Sequence, residues 1–323
     1  MQRMVTVAIA ALTLATVDAT AGVHDRAALQ WSELAPATSP SARLAPAMAY
    51  DPVSGKIVLF GGYDETGHVR DTWTFDGTTW TEVTPPVSPP ARAGGLMAFD
   101  VPSQKLVLYG GFDGGAYLGD TWLWDGATST WTAASSLAAP PAVTGPQVFT
   151  DPRSGTVVMF GGFDGDRYQG DTWRWSGEGW NRLHPANAPT ARSTAITGLD
   201  PARKTVVMFG GLADVNPWNT WEWDGVDWSL ASPGVQPPNR YYSGAAYSPQ
   251  AGAVVLFGGG IGIGDIHDTW AWSGSEWHRL SPATPPRVRE SFGIAYDEAM
   301  GRVVIFGGSV RGKLLGDTWV LEE

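Results

Sequence analysis

Hydrophobic positions along the 323-residue chain recur at long range rather than with a helical period. Six short apolar runs, such as Lys56 to Phe60 and Lys105 to Tyr109, show no alternation of apolar and polar residues. A strand of that kind must bury both faces. Each run ends in a glycine pair: Gly61-Gly62, Gly110-Gly111, Gly161-Gly162, Gly210-Gly211, Gly258-Gly259 and Gly307-Gly308. The first glycines are 49, 51, 49, 48 and 49 residues apart, which is the sequence signature of stacked structural repeats. No long stretch places apolar residues at i, i+3, i+4 and i+7, so almost no helix is predicted.

After each glycine pair comes Asp-Thr-Trp, at Asp71, Asp120, Asp171, Asp268 and Asp317; the fourth copy reads Asn219-Thr220-Trp221. A lone tryptophan follows at Trp80, Trp131, Trp180, Trp228 and Trp277. Each unit therefore reads as four strands. The first (a) is small and mixed, as in Ala93 to Phe99. A tight turn such as Asp51-Pro52-Val53-Ser54-Gly55 leads to the apolar second strand (b). The third (c) starts at Asp-Thr-Trp, and a hairpin signal such as Asp76-Gly77 leads to the fourth (d), which carries the lone Trp. The last unit stops after its third strand. Trp31-Ser32-Glu33-Leu34 matches Trp277-His278-Arg279-Leu280, so the N-terminal strand is expected to supply the missing outer strand and cover that edge.

This pattern resembles the Kelch repeat family: a double glycine ending strand b, a polar residue before an aromatic in strand c, and a Trp in strand d. The resemblance covers residues 29 to 323, at the roughly 50-residue Kelch period. It implies an all-β fold: a six-bladed β-propeller of Kelch repeats, closed by the N-terminal strand completing the last blade. The central domain of galactose oxidase is similar, and the whole resembles a secreted Kelch protein of bacterial type. That family includes binding scaffolds as well as copper-radical oxidases, sugar mutarotases and iron-dependent specifier proteins. The copper-radical site uses a Tyr crosslinked to Cys, and this chain has no Cys. Fold alone licenses a scaffold.

Composition narrows the choice. Residues 1–21 read as a signal peptide, with Arg3 before an apolar run and a small-residue cleavage site near Ala21 and Gly22. Residues 22–28 read as a linker and 29–323 as the repeats. The expected location is secreted or periplasmic, without membrane insertion after signal removal. A net charge of −11 argues against nucleic acid as a partner. A monomer is expected, and no cofactor or metal. His68, with Asp64 and Glu65, is the best local metal candidate, and its plainer reading is a solvated loop tip.

Because the strands alternate in direction, the long b–c and d–a loops share one face, where function usually resides. Strand a opens with Arg43, Arg92, Arg192, Arg240 and Arg289, with Val143 in the third unit. These arginines are expected to ring a channel mouth, either serving their neighbours by bonding loop carbonyls or nearby carboxylates, or forming a positive funnel for an anion. Tyr63, His68, Phe112, Tyr117, Phe163 and Tyr168 make the first three units the aromatic side of that face, as a platform for sugars or peptides or as packing between loops. The expected function is a binding module for a glycan, peptide, protein or anionic ligand. The alternative is a mutarotase-like or lyase-like enzyme on an acidic sugar, with Glu290, His68 or His267 as acid or base. The aspartate of Asp-Thr-Trp is expected to hydrogen-bond local backbone.

Overall fold

The computed structural model describes residues 29–135, 138–215, 217–261, 264 and 266–322. The signal peptide and linker read from the sequence lie outside these residues, as do Asn216 and Asp265 of the b–c loops. Every regular element among the described residues is a β-strand.

Six antiparallel four-stranded sheets account for most of them. In the first repeat Ala47–Asp51, Lys56–Phe60, Thr72–Phe75 and Trp80–Val83 lie side by side in that order. The sixth sheet joins the two ends of the chain: Gln30–Leu34 pairs with Thr318–Glu322, Trp31 opposite Leu321 and Glu33 opposite Trp319. The Trp31 segment thus takes the outer place that its match to Trp277 predicted.

The expected closed six-bladed β-propeller is corrected by this hydrogen bonding. No sheet closes on itself. Each four-stranded sheet is open, and loop hairpins add a three-stranded and a two-stranded sheet. The reason is geometric: a sheet closes only when its strands tilt and stagger until its edge strands pair, and the edge strands of each four-stranded sheet do not pair with each other. These sheets bury both faces against their neighbours instead.

The apolar strand shows how. Ile57, Val58, Leu59 and Phe60 are all fully buried. Val58 and Phe60 pack with Leu106, Leu108 and Trp122 of the second repeat, whereas Ile57 and Leu59 pack with Val304, Phe306 and Val320 of the sixth. Alternate residues of one strand therefore serve two interfaces, each fully buried side chain contributing about 1.5–3 kcal/mol. The first strands meet in sequence, Ala47–Asp51 against Leu96–Asp100 and so on to Gly293–Asp297, which packs against Ala47–Asp51 again.

Indole and hydroxyl groups stitch the interfaces. Trp131 Nε1 donates to Thr72 Oγ1 (2.9 Å), Trp180 Nε1 to Thr121 Oγ1 (2.9 Å), and Trp80 Nε1 to Thr318 Oγ1 (3.0 Å). Each bond joins the outer strand of one repeat to the third strand of the one before. Trp31 sits in a cluster with Phe257, Phe292 and Leu321. Trp31→Ala is expected to cost about 3–5 kcal/mol, lowering the melting temperature by roughly 10 °C. A melting temperature equal to that of the parent would show that the N-terminal strand is not a structural part of the last sheet.

Candidate functional site

The inner strands open with the arginines, and the structure places all five inside. Arg43, Arg92, Arg192, Arg240 and Arg289 are at most 1% exposed. In four repeats the guanidinium grips the aspartate of Asp-Thr-Trp with two bonds, as in Arg43 to Asp71 (2.6 and 2.7 Å) and Arg92 to Asp120 (2.7 and 2.7 Å). Arg240 and Arg289 treat Asp268 and Asp317 likewise. The same guanidinium donates to the first glycine's carbonyl, Arg43 Nη1 to Gly61 O at 2.9 Å. The aspartate also accepts from the indole of its own motif, Trp73 Nε1 to Asp71 Oδ2 at 2.7 Å. Of the two readings of these arginines, the contacts match the one in which they serve their neighbours: four form internal bidentate ion pairs and also bond a glycine carbonyl. The aspartate was expected to bond local backbone; backbone amides do bond the carboxyls of Asp120 and Asp317, but the larger partners are the guanidinium and the indole.

Burial pushes the carboxyls of Asp120, Asp268 and Asp317 up. The guanidinium bonds and charge, with the indole donor, outweigh it and hold all three below the ordinary carboxylate range.

The pattern breaks in adjacent repeats. Val143 stands where the third repeat's arginine would be, and Asp171 pairs with the exposed Arg182 instead. In the fourth repeat Asn219 replaces the aspartate. Among the described residues Arg192 then has only neutral acceptors: Gly210 O (3.1 Å), Thr190 O (3.0 Å), Thr190 Oγ1 (2.8 Å) and Pro217 O (3.4 Å). Burial pulls its guanidinium down to about 10. The indole nitrogens of Trp173 and Trp221, in these same two repeats, have no partner among the described residues.

Two positions after each arginine or Val143 stands a residue that sequence reading missed: Ala45, Gly94, Gly145, Thr194, Tyr242 and Ser291. All six have φ between 50° and 71°, a left-handed conformation costing about 1–2 kcal/mol for a non-glycine residue. Each amide donates to the carbonyl of its counterpart in the preceding repeat: Gly94 to Ala45 (3.0 Å), Gly145 to Gly94 (2.8 Å), Thr194 to Gly145 (2.8 Å), Tyr242 to Thr194 (3.3 Å), Ser291 to Tyr242 (2.8 Å) and Ala45 to Ser291 (2.6 Å). This cycle of six backbone bonds frames the mouth. The constant offset from the arginine was the signal that could have found it.

A cavity of about 320 Å³ lies at the mouth, lined by Phe163, Tyr168, Thr194, Tyr242 and Ser243 among others. Thr194 Oγ1 and Ser243 Oγ are buried without a hydrogen-bond partner among the described residues. Leading to the cavity is a file of aromatic rings across the first three repeats. Tyr63 meets His68 at 5.1 Å, His68 meets Phe112 at 5.7 Å, and Phe112 meets Tyr117 at 5.0 Å. Tyr117 meets Phe163 at 6.0 Å and Phe163 meets Tyr168 at 5.1 Å. Short hairpins hold them: Tyr63 pairs with His68, Phe112 with Tyr117 and Phe163 with Tyr168. Tyr63 is exposed and the others are half-buried. Tyr242 continues towards the far side, its hydroxyl pushed up by burial and by Glu290.

Of the acid–base candidates, His68 lies within the file, Glu290 flanks Tyr242, and His267 is an exposed residue of the fifth repeat's loop. Asp64 is buried, accepting from Ser41 Oγ (2.7 Å) and Thr66 Oγ1 (2.6 Å). Among the described residues no three His, Asp or Glu side chains are grouped so as to hold a metal ion.

The broken repeat gives a direct test. Asn219→Asp offers Arg192 and Trp221 the acceptor they lack, and is expected to stabilise the protein by about 1–3 kcal/mol. An aspartate whose pKa is depressed by folding contributes above its unfolded value, and the contribution is lost as pH falls through the folded value. The gain in melting temperature should therefore be present at about pH 7 and disappear towards about pH 3. A gain that persists in acid would implicate something other than the ion pair.

No curated protein gives a significant match to the chain. The family described as the KLHDC2/KLHL20/DRC7 Kelch-repeats domain matches residues 16–211, more than half of the chain and the stretch holding the glycine pairs from Gly61 to Gly210. The chain belongs to this Kelch-repeat family.

Proposed function

We propose that the chain is a binding module, and that its ligand is an extended peptide segment, neutral or basic, seated along the aromatic file. The carrying observation is the file itself, five successive ring contacts that lead from Tyr63 to the cavity at Tyr168. Aromatic rings offer large, rigid contact area at low entropic cost. The unpartnered hydroxyls of Thr194 and Ser243 suit the amides of a peptide backbone, since a buried polar group left unpaired costs about 1–3 kcal/mol.

Charge argues against an anionic ligand. Four of the five guanidiniums already hold carboxylates, Arg192 is fully buried, and the chain carries −11 overall. Framing of the mouth by a cycle of backbone bonds keeps the site preformed, which lowers the ordering cost of binding.

A library of unbiased peptides, screened beside a glycan array on the full chain, tests the reading. Selected peptides should lose about tenfold or more in affinity with Tyr117→Ala and with Phe163→Ala, without enrichment of acidic sequences. Glycan binding without peptide binding would overturn it, as would peptide affinities unmoved by either substitution.

A further inference from the structure

The ring of first strands encloses an axis, and its far end, among the turns joining first to second strands, holds a second cavity. An intermediate cavity of about 180 Å³ shares Pro46, Leu96 and Phe292 with the mouth cavity and Met48, Met97 and Val148 with the far one. The far cavity is larger, about 600 Å³, well within the range of small-molecule sites.

Seven positions after each arginine or Val143, the first strand turns a half-buried side chain to this end: Tyr50, Phe99, Thr150, Leu199, Tyr247 and Tyr296. Four of the six are aromatic. Two positions further on, five repeats have an apolar residue: Pro52, Val101, Pro152, Pro201 and Pro249. The sixth has Glu298, the one charged residue lining the cavity among the described residues. The repeat supplies no structural reason for a carboxylate there, since five turns of the same shape do without it.

Glu298, exposed at the rim, also has no counter-charge acting on it among the described residues. Burial and the adjacent Asp297 push its carboxyl above the ordinary range, with no cation among the described residues to offset them. Asp297 itself is committed to its turn, accepting from the amides of Ala299 and Met300 at 3.1 Å each. The hydroxyls of Tyr50 and Tyr296 are pushed up by burial and then by Glu298, so one carboxylate bears on both tyrosines. Aromatic walls with one uncompensated negative charge are complementary to a positive charge in an apolar coat.

We propose that this cavity binds a small organic cation, an alkylated ammonium, with Glu298 as its counter-charge and the rings of Tyr50, Tyr247 and Tyr296 as its wall. The site lies at the opposite end of the axis from the peptide-binding file and does not depend on it.

Calorimetric titration of the full chain with choline, and with its uncharged isostere in which carbon replaces the quaternary nitrogen, tests the proposal. Choline is expected to bind about tenfold or more tightly than the isostere. Glu298→Gln, at the rim and outside the packed interfaces, should abolish that preference while leaving the melting temperature unchanged. Tyr296→Phe keeps the ring and should retain most of the affinity; Tyr296→Ala should lose it. Equal binding of the two probes would overturn the proposal. So would a preference that survives Glu298→Gln, or no binding of choline at millimolar concentration.

Discussion

One position per repeat carries the joint on which the other contacts depend, an arginine in five repeats and Val143 in the third. In four repeats the buried arginine holds the third strand of its own repeat through the aspartate, and the end of its second strand through the glycine carbonyl. Its backbone carbonyl faces outward to the repeat before. Gly62 N donates to Arg92 O, Gly259 N to Arg289 O, and Gly308 N to Arg43 O. A side chain thus orders one sheet while its own peptide group docks the next. A guanidinium taken out of water is costly unless matched by a fixed, bidentate acceptor, so the aspartate follows from the arginine. The glycine pair follows too. A Cβ on Gly61 would stand 2.6 Å from Arg92 O, and its φ of +66° belongs to the left-handed region.

Val143 and Asn219 separate the two halves of that joint. The carbonyl of Val143 still accepts from Gly111 at 2.8 Å, because a backbone group does not depend on the side chain beside it. What is lost is the internal clamp, and two indoles lose their acceptors with it. These two repeats also supply Phe163, Tyr168 and Thr194 to the mouth cavity. The internal clamp is thus relaxed on the side where the aromatic file ends. Strain and unmatched polar groups tend to collect at functional sites, and here both occur within one wall.

Much of this was legible in the sequence, because a period near 50 residues turns one local pattern into six observations. The glycine pairs and unalternating strands marked the four-stranded units, and the Trp31 segment gave away its place beside Thr318–Glu322. The gathering of the aromatic residues of the first three repeats on the loop face was legible for the same reason. A carboxylate partner for the arginines was among the readings, but which one was not legible, since Arg43 and Asp71 lie 28 residues apart and neither type signals a partner at that range. Yet the interval is constant in four repeats, and the exceptions Val143 and Asn219 sit in the two repeats that lack it. Closure of the sheets was over-read. A matching outer strand completes one sheet, and it does not join that sheet to another. The cavity at the turn end was hidden because its lining comes from the small, mixed first strand, the least patterned element.

The two ends of the axis differ in what holds them, and this decides how freely each can vary. At the loop end the framing bonds use only amides and carbonyls. Side chains there have no bond to keep, and the six positions hold Ala, Gly, Gly, Thr, Tyr and Ser. The limit is backbone strain, which favours small residues and makes Tyr242 the exception. At the turn end the strands are regular and the aspartates cap their turns, as Asp51 does for Val53 N at 3.1 Å. The variable positions there sit just before and after a fixed cap, so a new charge such as Glu298 can enter without disturbing it. A repeat that fixes its interfaces with backbone bonds and buried strands therefore leaves both rims open to chemistry. Each rim can change while the sheets between them stay the same.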